Sequence, residues 1–162
     1  MRVARGARRR VGRALMSGSI AAWLFGSVAL GGEIPKLRSA REGARERLGH
    51  PECEAVLTDF RDVTGRRLDD VLRASGRTAQ EQLDVLTFRS GSGSDVCERR
   101  VALAFTHIRS SEVSICPPQF RAQGSQQQEA ALIHEMLHSL GLGENPPESS
   151  AITAQVLKRC EP

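Results

Sequence analysis

The chain has 162 residues, with 23 Lys and Arg against 19 Asp and Glu and a formal net charge of +4. That length leaves room for one domain. Six arginines crowd the first 13 residues without a single acid, so residues 33–162 carry 17 basic against 19 acidic side chains, net −2, which removes the basic charge as a reason to expect a nucleic-acid partner.

Residues 1–32 read as an export signal. Met1 to Arg13 is basic, and Ala14 to Gly32 is uncharged and includes the apolar run from Ile20 to Leu30. Ala29-Leu30-Gly31 then supplies the small residues of a cleavage site. An uncleaved anchor is the alternative, because 19 uncharged residues approach the spanning length. The glycines and serines within the run lower its hydrophobicity and favour the signal. A mature domain over 33–162 is expected, periplasmic or secreted and free of the membrane once cleaved.

Cys53, Cys97, Cys116 and Cys160 all follow the signal, and an even count in an exported chain predicts two disulfides with three connectivities open. No C-x-x-C pair points to a cysteine zinc site. The domain has four Phe, no Tyr and no Trp beyond Trp23, so bridges would help a core poor in aromatic surface.

Lys36 to Leu48 is charged and helical in composition, which predicts an exposed first helix or a partly ordered arm. Pro51 opens a segment in which Ala55, Val56 and Phe60 share one helical face. Gly65 interrupts, and Leu68, Val71 and Leu72 mark a short amphipathic helix ending near Gly76. Thr78-Ala-Gln-Glu81 is a capping-box pattern. Val85 to Phe88 reads as a strand, and Gly91-Ser-Gly-Ser94 as a loop. Val101 to Thr106 and Val113 to Cys116 read as a hairpin turned through Arg109-Ser110-Ser111. Pro117-Pro118 stops its second strand. Ser125-x-x-Gln128 is another capping-box pattern, leading a helix from Glu129 to Leu140 that Gly141 ends. Asn145-Pro146-Pro147 is a turn, and a last helix over about 149–158 turns Ile152, Val156 and Leu157 inward. This order predicts an α+β fold with N-terminal helices, a short antiparallel or mixed sheet, a helix bearing the site and a closing C-terminal helix.

The informative stretch is Ile133-His134-Glu135-Met136-Leu137-His138-Ser139-Leu140-Gly141-Leu142-Gly143-Glu144. Residues four apart lie one turn above each other on a helix, so His134 and His138 can share one zinc ion. Glu135, beside the first histidine, is placed to take a proton from water and hand it to a leaving amine. With four histidines in 162 residues, an accidental H-E-x-x-H arises in about one such chain in a hundred by multiplying residue frequencies.

The pattern His134, Glu135, His138, Gly141 resembles the H-E-x-x-H-x-x-G-x-x-ligand form of the zincin peptidases, and the likeness extends over Val101 to Glu144. The resemblance implies a zincin-like domain with a sharp turn at Gly141. It makes Glu144 the third ligand to a single Zn2+, with Glu148 second in line, as in the branch whose third ligand lies on a later helix. The chain departs from the family in having no Met after Met136 to form a methionine turn. With no Tyr available, His107 and Arg109 are left as candidates to polarise a carbonyl. The resemblance also implies that the strand Val113 to Cys116 is the edge that pairs with substrate backbone.

The function expected is thus an exported zinc-dependent peptidase, monomeric and acting on a peptide or protein substrate. His134, His138 and Glu144 would hold the metal, with Glu135 as the base. An exported zinc-binding or interaction module without chemistry is the alternative. A structural envelope protein with incidental histidines is the third.

Overall fold

The computed structural model describes residue 34 and residues 36–161. The export segment read at 1–32 lies outside the described residues. The first element, α1 (Leu37–Leu48), buries Ala40, Ala44 and Leu48. Small side chains at a spacing of four let it close on the central helix α8 (Ser125–Ser139). At Gly43 the approach is so tight that a Cβ would fall 2.6 Å from the Glu129 carboxylate carbon. The segment expected as an exposed first helix or a partly ordered arm is therefore a helix, but one that packs into the core. Its charged residues cover one side while a narrow stripe of alanines is buried, a pattern that composition alone hides.

The segment after Pro51 breaks into two short helices, α2 (Pro51–Glu54) and α3 (Val56–Asp59). Their buried residues are Cys53, Val56 and Leu57 rather than the single face of Ala55, Val56 and Phe60. The break at Ala55 rotates the second turn, and Phe60 leaves the helix in an extended conformation, φ −121°. Helix α4 (Leu68–Ser75) ends at Gly76 in the left-handed region. Helix α5 (Ala79–Asp84) starts at the expected capping box, Thr78 and Glu81 exchanging side-chain and backbone bonds.

Three strands form a sheet in the order β1-β3-β2. Strand β1 (Thr87–Ser90) pairs in parallel with β3 (Glu112–Ile115), and β2 (Ala104–Thr106) pairs antiparallel with it, completing the expected hairpin. The strand from Val113 is thus the centre of the sheet and not its edge, correcting the assignment that resemblance implied. The sequence reveals the hairpin through its turn, but the parallel partner on the far side pairs across 25 positions, Thr87 with Glu112, and carries no local signal. The edge beside α8 is β2.

Two short helices were not foreseen: α6 (Asp95–Glu98), capped by the Ser94 hydroxyl, and α7 (Pro117–Ala122). The prolines that end β3 also open α7, where their missing N–H groups cost nothing. Helix α8 begins at Ser125 with Gly124 as its cap, so the second capping box does not form. Gln128 is drawn inside instead, its amide donating to the Phe120 and Gln123 carbonyls. Helix α9 (Ser149–Arg159) closes the domain, burying Ile152 and Val156.

Helix α8 is buried on nearly every side: Leu132, Ile133, Met136 and Leu137 have no exposed surface, and Gln128, Glu129, His134, Glu135 and His138 are buried with them. Helices α1 and α9 and strand β2 all pack against it. The cysteines pair as Cys53–Cys160 and Cys97–Cys116. The first ties α2 to the end of α9, where Arg47 of α1 also binds Glu129 and the Cys160 carbonyl.

Candidate metal centre

His134 and His138 face the same point from successive turns of α8. Their Nε2 atoms lie 2.9 Å apart. The Glu144 Oε1 is 3.5 Å from the first and 3.3 Å from the second. A tetrahedral ion with ligand bonds of 2.0–2.2 Å holds its ligand atoms about 3.3 Å from one another, so the triangle has the right size. Among the described residues, these three are the group of His, Cys, Asp and Glu side chains able to share an ion.

The other ring nitrogens fix how the imidazoles present themselves. His138 Nδ1 is 2.8 Å from the Leu142 carbonyl, which only accepts, so that nitrogen carries the proton and Nε2 offers its lone pair. His134 Nδ1 is 2.9 Å from the Thr153 hydroxyl, which can accept in the same way. Two lone pairs 2.9 Å apart repel unless a proton or a cation lies between them. The donor set therefore fits a divalent ion and offers both outer hydrogen bonds that metal-binding histidines use.

Glu135 is 6% exposed, and its Oε2 is buried without a hydrogen-bond partner. Burial, with the nearby Glu144 charge, pushes its carboxyl up to about 8, while the Thr106 backbone N–H pulls in the opposite sense. The edge strand β2 thus ends against the carboxyl. Burial, with the neighbouring His138, lowers His134 to about 4.

These values set opposite slopes of stability against pH. A carboxyl raised from 4.5 to about 8 keeps a proton that the unfolded chain has released, so the metal-free protein loses stability as pH rises through that interval. The His134 contribution is present above its unfolded value of 6.5 and is lost as pH falls towards 4. Between 4.5 and 6.5 the two oppose; above 6.5 only Glu135 remains. Metal-free protein is expected to lose about 2 kcal/mol between roughly pH 6.5 and 8 in urea unfolding. A flat profile there would contradict the raised carboxyl.

Gly141 follows the end of α8 at φ 107°. A Cβ there would lie 3.1 Å from the Asp62 Cβ and 3.2 Å from Arg109 Nε. Gly141→Ala is expected to cost about 1–3 kcal/mol, seen as a lowered urea midpoint.

The structure brings together His134, His138 and Glu144, with Glu135 adjacent. It leaves Glu148 outside this group, exposed at the cap of α9. His107 is exposed. Arg109 turns to Asp62, 3.3 Å away, and its backbone N–H donates to the His138 carbonyl at 2.9 Å. Thr153 and the Leu142 carbonyl escaped sequence reading. The hydroxyl reaches the site from another helix, and a carbonyl has no residue signature. No protein-family model matches the chain, and no curated protein and no solved structure matches it either.

Proposed function

We propose that this chain is an exported zinc-dependent peptidase, with His134, His138 and Glu144 holding the ion and Glu135 as general base. The observation that supports it most is the convergence of two Nε2 atoms and one carboxylate oxygen beside a buried carboxyl with an unpartnered oxygen. Such an ion supplies Lewis acidity, lowering the pKa of water towards neutrality and polarising a carbonyl. The charge of a bound ion would favour the Glu135 carboxylate over the neutral acid of the metal-free protein, and that carboxylate would take the proton that water gives up and return it to the leaving amine. Its burial removes competing solvent, and the Thr106 amide orients it. As an edge strand, β2 would offer its remaining main-chain groups to an extended peptide.

Two disulfides suit an oxidising compartment. Among the described residues, no helix is long and apolar enough to cross a membrane. The disulfides support export. Zinc content by elemental analysis, combined with digestion of a peptide library, tests the reading: one ion per chain with cleavage is expected. Metal without cleavage would favour the non-catalytic module, and absence of metal would remove both.

A further inference from the structure

We infer that Asp62 is a positioning residue for the metal centre, acting through both backbone groups that hold His138. The inference rests on the metal-site reading above. Asp62 lies on the loop between α3 and α4, far in sequence from the histidines, and its side chain has no exposed surface. Its Oδ1 accepts from the Thr64 N–H (2.9 Å), the Thr64 hydroxyl (2.6 Å) and the Arg66 N–H (2.9 Å). Its Oδ2 accepts from Arg66 Nε and Nη2 and from Arg109 Nη2. These bonds, that of the Thr64 hydroxyl foremost, hold the carboxyl far below the usual carboxylate range in spite of burial. A carboxylate so committed is a rigid anchor.

Two arms lead from this anchor to one imidazole. In the first, the loop it shapes pairs with the turn after α8: Asp62 bridges Leu142, and the Val63 N–H donates to the Gly141 carbonyl at 2.9 Å. The Leu142 carbonyl in that turn receives the His138 Nδ1 proton. In the second, Asp62 holds the Arg109 side chain while the Arg109 N–H caps the His138 carbonyl. Ring and backbone of His138 are thus both fixed to elements that meet at Asp62. The lack of a side chain at Gly141 allows the contact. Orienting a ligand's second nitrogen tunes its metal affinity; here the orienting carbonyl is itself held.

The test uses the full chain loaded with cobalt(II), whose absorption bands report ligand geometry, and zinc affinity by competition with a chelator. Asp62→Asn is expected to weaken zinc about tenfold and to change the cobalt bands. Arg109→Gln, which keeps the backbone N–H, should do so to a smaller extent and decides the matter if Asp62→Asn fails to fold. Leu48→Ala, a buried α1 change away from the loop, should lower the melting temperature and leave the cobalt bands unchanged. Wild-type protein that binds one cobalt, together with folded variants of unaltered affinity and spectrum, would overturn the positioning role and leave the metal centre standing. Wild-type protein that binds no cobalt would instead overturn the metal centre on which the inference rests.

Discussion

On the proposed peptidase reading, replacing Glu135 with glutamine is expected to abolish peptide hydrolysis while one zinc ion stays bound. The change keeps the shape of the side chain and an oxygen for the Thr106 N–H, and alters none of His134, His138 or Glu144. It removes only the ability to take up a proton, a loss of about 10²–10⁴ in rate for a positioned general base. A second readout is independent of substrate. The metal-free variant has no carboxyl to ionise, so its stability should not fall between about pH 6.5 and 8 as the parent's should. Zinc content equal to the parent, with cleavage at the parent's rate, would show that Glu135 is not the base.

The second large effect concerns the bridge between Cys53 and Cys160, which spans 107 residues. Closing so long a loop restricts the unfolded chain by about 4–5 kcal/mol on the chain-entropy estimate. The Cys97–Cys116 bridge spans 19 residues, for which the same estimate gives about 3 kcal/mol. A domain of this size has about 5–15 kcal/mol of net stability. The double change Cys53→Ala, Cys160→Ala should therefore bring the protein close to unfolding at 37 °C, with the larger drop in urea midpoint of the two bridge deletions. A greater loss from deleting the shorter bridge would show that native packing, rather than chain restriction, dominates.

The local parts of the fold were legible. Thr78 and Glu81 announce a capping box and form one, Gly76 and Gly141 end helices as expected, and the hairpin of β2 and β3 follows from its turn. What failed was set by distant partners. The parallel pairing of β1 moved β3 from edge to centre. Packing on α8 turned a charged N-terminal helix into a core element. The interior claimed Gln128, which local pattern had assigned to a cap. The candidate site divides in the same way. His134, Glu135 and His138 were readable because helical periodicity alone brings them together. Glu144 came from resemblance, and the structure places it with the imidazoles. Thr153, Asp62 and the Leu142 carbonyl were invisible because three-dimensional proximity, not spacing, recruits them.

All three candidate ligands fall within the eleven residues from His134 to Glu144. An unfolded chain therefore already carries the whole donor set on one short tether, and can chelate an ion before the rest of the molecule forms. Metal captured in that state lowers the free energy of the unfolded chain as well as the native one. Thermal protection by zinc should accordingly be smaller than its affinity for the native protein would suggest. The deficit measures how much of the centre belongs to the tether and how much to the fold around it.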